Sequence, residues 1–258
     1  MKVVHRVLDP NLFDPSVTGL CALAVMTKAP RAGQVKTRLV PPLTPAEAAQ
    51  LNTSFLRDTA NAIAEATGDV ARGIAVYTPV GAEEAYIDIL PHDFDLLPQR
   101  GNGFGERLAA ASEDLFRIGF RSVCLIDSDS PTVSTECYTQ AAKLLSIQND
   151  RIVLGPADDG GYYLLGMKKN HRRLFDEIDW SSERVLDQTV QRAAELKVAV
   201  ELLPICYDVD DRTTLRRVCD ELLRDNSKST IDIAPATRAF LREIVEREGR
   251  ARIWPQEK

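Results

Sequence analysis

With 258 residues, 44% of them hydrophobic and 27% charged, the chain has an ordinary globular composition and is long enough for one large α/β domain. Its formal net charge of −6 excludes the global basic field that recruits nucleic acid. No run approaches the ~20 apolar residues of a membrane span, and residues 1–19 lack the continuous apolar stretch of a secretory signal.

After this polar lead-in, "LCALAVMT" (Leu20–Thr27) is a short apolar run bounded by turn residues, which predicts a buried strand. The prolines and glycine of "KAPRAGQVKTRLVPPLT" predict a long loop. Thr44, Pro45 and Glu47 then supply the cap, first-turn proline and capping-box glutamate of a helix that continues through Leu51, Phe55 and Ala62. "GIAVYT" (Gly73–Thr78) is the next strand, followed by a short helix around Ala82–Leu90 and the brief apolar "FDLL" at Phe94. "GFGERLAAASEDLF" predicts a helix with Leu108, Ala111 and Leu115 on one face. "RSVCLI" is a strand and Glu136–Ile147 a helix. "RIVLG" and "YYLLGM" are strands separated by "PADDGG". Ser182 is expected to cap a helix carrying Leu186, Val190 and Ala193; "KVAVELLPI" is a further strand, and Asp211 caps a last helical region.

Strands alternating with helices predict an α/β fold with a mainly parallel sheet covered on both faces. No linker composition divides the chain, so the expected organisation is an N-terminal extension over 1–19 and one domain over 20–258. The five cysteines are an odd number, widely spaced and without a C-x-x-C pair; they read as reduced core residues of a cytoplasmic protein. Ligands of parallel sheets gather beyond the carboxyl ends of the strands. Four chemically distinctive segments follow predicted strands, Lys28–Arg38, Asp127–Pro131, Ala157–Gly161 and Asp208–Asp211, and are expected to meet on one rim. His171 also follows a strand and is placed on that rim.

In "IDSDSP" the period of an extended chain puts Asp127 and Asp129 on one side. Two carboxylates so close repel unless a cation or a proton lies between them, and oxygen ligands of this kind suit Mg²⁺ or Mn²⁺. A turn cap beside a solvated acid explains the same pair without a metal. "DVDD" repeats the pattern: Asp211 reads as a helix cap, while Asp208 and Asp210 can complete a metal site with Asp129. The loop "KAPRAGQVKTRL" gathers Lys28, Arg31, Lys36 and Arg38 in an acidic protein, and Gly33 allows close backbone approach, which suits a polyphosphate. It is not a Walker A loop, having Val35 where a glycine is required. Asp158 and Asp159 stand before Gly160 and Gly161, which permit a tight bend or room for a flat ligand. Neither a histidine-based zinc site nor a G-x-S-x-G triad is present.

Together, "KAPRAGQVKTRL", "DSDSP", "GPADDGGYYLLG" and "DVDD" resemble the bacterial DUF2064 proteins, the radical-SAM/selenodomain-associated transferase 1 family, over about Leu20 to Leu222. "DSDSP" and "GPADDGG" are more distantly similar to stretches of molybdenum-cofactor and phospholactate guanylyltransferases. The resemblance implies a GT-A-like fold of the nucleotide-diphospho-sugar transferase superfamily and a glycosyltransferase-like activity. It implies that the Lys28–Arg38 loop lies against the nucleotide and that Asp129 binds the metal. The family usually has glycine where this chain has Asp127, so Asp127 is either an added ligand or a tolerated neighbour.

The expectation is metal-dependent transfer from a nucleotide-activated, sugar-bearing donor to a small acceptor. Asp129, helped by Asp127 or Asp210, is expected to hold a divalent cation. Lys28, Arg31, Gly33, Lys36, Arg38, Gly160 and Gly161 are expected to face the nucleotide and its phosphates. Asp158 or Asp159 is expected to orient the acceptor or accept its proton. The alternatives are a nucleotidylyltransferase that releases pyrophosphate and a non-catalytic nucleotide-binding protein on the same fold.

Overall fold

The first apolar run forms β1 (Cys21–Lys28), whose alternate side chains are buried in two separate cores, Leu23 and Val25 in one and Ala22 and Ala24 in the other. A strand buried on both faces needs an apolar residue at every position, hence the unbroken run. The computed structural model describes residues 4–224 and 233–254. Residues 1–3, 225–232 and 255–258, which the expected extension and domain include, lie outside the described residues.

The other strands are β2 (Ala71–Thr78), β3 (Asp95–Pro98), β4 (Ser122–Ile126), β5 (Arg151–Pro156), β6 (Tyr162–Met167) and β7 (Ala199–Leu202). They form one sheet in the order β3-β2-β1-β4-β6-β5-β7. Every neighbouring pair is parallel except those of β6, which runs antiparallel to β4 and β5. The helices are α1 (Pro45–Thr67), α2 (Phe104–Ile118), α3 (Thr135–Ser146), α4 (Val185–Glu195), α5 (Arg212–Leu223) and α6 (Pro235–Glu248). Leu56 of α1 and Leu145 of α3 share one face of the sheet with Leu23, while Leu108 of α2 and Ala193 of α4 cover the other.

The reversal of β6 moves one residue off the expected rim. His171 lies beyond the exit of β6, at the opposite edge, where its Nε2 is 3.0 Å from Asp150 Oδ2. Two helix expectations also change. Between Gly81 and Pro91 only a 3₁₀ turn forms, over Glu83–Tyr86, because so short a segment cannot sustain an α-helix. Ser182 does not cap α4: Arg184 precedes that helix, and the Ser182 hydroxyl donates to the Asp179 carbonyl at 2.7 Å. The N-terminal segment lies along β3, with Leu96 N donating to Arg6 O and Leu8 N to Leu96 O, both at 2.8 Å. That contact occupies backbone groups of an edge strand.

A third core ties the loop after β1 to the C-terminal half of the chain. Leu39 and Leu43 pack with Phe55 of α1, Tyr207, Val209 and Leu215. The Asp58 carboxylate of α1 also accepts from Ala236 N and Thr237 N at 2.9 and 2.8 Å, capping α6, whose own Ala234 offers no side-chain cap. At the start of α1 the expected capping box forms between Thr44 and Glu47. Glu47 further accepts from Arg247 at 2.7 Å and from Arg252. Burial opposes its ionisation, but Arg252 and the Thr44 donors outweigh that and bring the carboxyl down to about 2. An acid with a lower pKa folded than unfolded contributes stability above its unfolded value of 4.5 and loses it as the pH falls toward 2. Glu47→Gln is therefore expected to cost about 2 kcal/mol in urea unfolding at neutral pH. The difference from wild type should shrink on acidification, and a constant difference would place the effect in packing rather than charge.

Candidate functional site

Three of the four segments meet directly at the carboxyl edge of the sheet, and the fourth joins them across a cleft. The third core explains the meeting. Because Leu39 and Val209 are buried together, the Lys36–Arg38 turn is held against the Asp208–Asp211 segment. A hydrogen bond of 2.9 Å from Val209 N to Asp129 O fixes that segment to the end of β4. Ala157 then bridges Cys206 in parallel, so the turn after β5 joins the same edge.

At the centre is Lys36. Its side chain is only 4% exposed, and its Nζ lies 2.8 Å from Asp129 Oδ1, 2.7 Å from Asp210 Oδ1 and 2.9 Å from Val209 O. The residue has φ 47° and ψ 39°, a left-handed conformation disfavoured for side chains other than glycine. Burial opposes the ammonium charge, but Asp129 and Asp210 outweigh it and raise the pKa above the ordinary lysine value. The two acids thus converge on one cation-sized seat, and the cation in it is the chain's own.

The resemblance implies a divalent cation, and the residues fit one. The seat is made entirely of oxygens, as a hard cation requires. The spacing of 2.7–2.9 Å suits an ammonium, whereas Mg²⁺ demands oxygens at about 2.1 Å. A divalent cation held by Asp129 and Asp210 would need the carboxylates closer than they stand around the ammonium, with Lys36 out of the seat. Among the described residues no group of three or more His, Cys, Asp or Glu side chains is already arranged around a metal position.

Asp127 is not part of the seat, since its Oδ2 accepts from the Ser130 hydroxyl at 2.7 Å. Burial and then the adjacent Asp129 push its carboxyl up to about 8. Asp208 lines the cleft beside it and is pushed up to about 6 by burial, Asp210 and Asp159. The sequence reading gave Asp208 no role beyond the metal; burial and the nearby Asp159, which raise its proton affinity, arise only in the fold.

The pairs of acids and glycines also separate. Asp159 lines the cleft and its Oδ1 accepts from Gly161 N at 2.8 Å. Asp158 instead pairs with Arg217, whose guanidinium stacks 3.7 Å from the Tyr207 ring centre, and it does not line the cleft. Gly161 lines the cleft, whereas Gly160 serves the backbone: at φ +91° a Cβ would lie 2.1 Å from Glu183 O.

Two clefts share Arg38, Ser128, Asp129 and Asp210. The smaller, of 260 Å³, adds Lys28, Gln34, Lys36 and Asn52. Asn52 is 6% exposed and its Oδ1 has no hydrogen-bond partner, a buried acceptor left unpaired beside the cleft. Its sequence signal was a polar residue among the apolar positions of α1. Arg31 and Gly33 stand on the outer part of the loop and line neither cleft. The larger cleft, of 420 Å³, is walled by Phe104 and Trp180, residues the sequence reading passed over. Their only sequence mark is a large aromatic in an otherwise small and polar stretch, "GNGFGE" and "IDWSSE".

The family model described as "Uncharacterized protein conserved in bacteria (DUF2064)" matches residues 49–182. Among solved structures, a protein of Desulfovibrio desulfuricans G20 provisionally described as a nucleotide-diphospho-sugar transferase is similar at 29% identity and a TM-score of 0.75. The match covers 89% of this chain and 97% of that one. The 4-diphosphocytidyl-2C-methyl-D-erythritol synthase of Anaerococcus prevotii DSM 20548 shares the fold, with a TM-score of 0.54 and 11% identity over 82% of this chain and 100% of that one. So does a CMP:2-keto-3-deoxy-manno-octonic acid synthetase complexed with CTP, with a TM-score of 0.52 and 8% identity over 80% and 99%. No curated protein matches the chain.

Proposed function

The chain belongs to the DUF2064 family, and on that footing we propose that it is a transferase acting on a nucleotide-activated donor, with a sugar as the group transferred. One observation carries the reading: Lys36 seats an ammonium between Asp129 and Asp210 where two clefts of opposite character join. A basic cleft beside an acidic one, with a cation seat between them, suits a diphosphate donor on one side and a hydroxyl acceptor on the other.

In this reading Asp129 and Asp210 hold a divalent cation, which when bound supplies positive charge against the donor diphosphate. Lys28, Lys36 and Arg38 line the same cleft, so a Lys36 side chain released from the seat would still have the donor phosphates within the site. Asn52 accepts a hydrogen bond from the nucleoside. Asp208, a half-buried carboxylate lining the larger cleft, accepts the acceptor hydroxyl proton, and Asp159 orients the acceptor.

A thermal-shift screen of nucleotides and nucleotide sugars, with and without Mn²⁺, tests this. A donor present at 100 times its Kd is expected to stabilise the protein by about 2.7 kcal/mol, and only with the metal. Product analysis of the best donor should then show a nucleoside diphosphate. Pyrophosphate released from a nucleoside triphosphate would instead make the protein a nucleotidylyltransferase. Binding without turnover across the panel would make it a nucleotide-binding protein.

A further inference from the structure

We infer that the larger cleft is the acceptor subsite, and that it takes a hydroxyl-bearing small molecule with an apolar face and no phosphate, either neutral or amine-bearing. The inference rests on the transferase reading above and adds to it the chemical class of the acceptor.

The aromatic wall is built for a ligand face. Phe104, at the first turn of α2, and Trp180 meet edge to face with ring centres 5.3 Å apart and planes at 76°. Phe104 is nevertheless 54% exposed, an apolar ring left open to the cleft. Trp180 lies so close to the start of α2 that a Cβ on Gly105 would be 2.3 Å from its Nε1; only glycine there lets the indole dock. The segment carrying Trp180 contains two non-glycine residues with left-handed backbone, Glu177 at φ 55° and Ser181 at φ 66°. Such conformations persist where surrounding structure fixes them, and they collect at ligand sites. An indole and an open phenyl ring set nearly perpendicular offer an apolar corner to a molecule with exposed C–H groups.

The charge of the cleft sets the rest of the class. Asp127, Asp129, Asp159, Asp208 and Asp210 all line it, and Arg38 is the one cationic side chain among its described lining residues. Arg38 also lines the basic cleft, so the donor phosphates compete for it. Asp129 and Asp210 are engaged at the cation seat and Asp127 is turned to the Ser130 hydroxyl, which leaves Asp159 and Asp208 facing an acceptor. Carboxylates accept hydrogen bonds from hydroxyl or ammonium groups and repel a phosphate a few ångströms away. A site of this composition discriminates by what it rejects as much as by what it holds.

The test uses the full chain with Mn²⁺ and inorganic pyrophosphate filling the donor side, and calorimetric titration of a panel of neutral and amino monosaccharides and polyols beside their phosphate esters. At least one neutral or amine-bearing member should bind saturably, with its phosphate ester at least about tenfold weaker. Trp180→Leu should weaken that binding about tenfold, Trp180→Phe should retain most of it, and neither should alter pyrophosphate binding. Phe104→Ala, at an exposed position, serves as a second variant if Trp180→Leu melts early. Phosphate esters binding as well as the neutral members, no member binding, or unchanged affinity in the aromatic variants would overturn the acceptor class. Failure of pyrophosphate and Mn²⁺ to bind the wild type is a separate result, and would remove the transferase reading itself.

Discussion

Replacement of Lys36 by Met is expected to tighten binding of Mn²⁺ to the ligand-free protein by about tenfold, while weakening binding of the nucleotide donor by at least as much. The two effects have one cause. In the free protein the ammonium fills the seat between Asp129 and Asp210, so an entering divalent cation must displace a charge already paired at 2.7–2.8 Å. Methionine has a similar length and no charge, so it leaves both carboxylates free for the metal. The same change removes a cation from the donor phosphates. The acids are partly exposed, at 35% and 44%, so water replaces much of the lost pairing and the fold should survive. Two calorimetric titrations decide the matter, Mn²⁺ alone and then donor with Mn²⁺ present. If the variant bound Mn²⁺ more weakly than wild type, Lys36 would be organising the acids rather than competing for them.

Asp129→Asn is expected to remove most metal-dependent donor binding, a loss of about a hundredfold or more, because a neutral amide is a far poorer ligand for a hard cation. Stability should change little. Lys36 keeps Asp210 and Val209 O, and the hydrogen bond from Val209 N goes to the backbone of residue 129, which the substitution preserves. Asp127→Asn should do less harm to donor binding, since that side chain turns to Ser130 and stands outside the seat. Donor affinity measured with and without Mn²⁺ for both variants checks the ranking. Full metal-dependent gain in Asp129→Asn would show that the acids at the end of β4 do not hold the metal.

Much of the framework was legible in local pattern. Strands buried on both faces must be continuously apolar, so β1, β2 and β4 announced themselves as runs, and the Thr44–Glu47 box fixed the start of α1 because a cap is a local hydrogen-bond exchange. Parallel connectivity in turn placed the basic loop and the three acidic segments at one edge. The single reversed strand was not visible, since the side chains of "YYLLGM" are buried in the same alternation whichever way it runs, and His171 was misplaced as a result.

The sequence by itself therefore determined the fold class, the edge at which the basic loop and the acidic segments gather and the residue types found there, because each follows from periodicity, chain direction or a contact between near neighbours. Only the tertiary structure decided which members of each pair act together. Asp159 faces the cleft while Asp158 pairs with Arg217, and Gly161 lines the cleft while Gly160 makes room for Glu183. Adjacent residues on an irregular turn point in different directions for reasons set by distant partners. The Lys36 seat depends on a core shared by Leu39 and Val209, 170 positions apart in the chain. The proton affinity of Asp208 depends on burial beside two acids from different segments. Electrostatic and packing effects of that kind act through space, and no local pattern of residues encodes them.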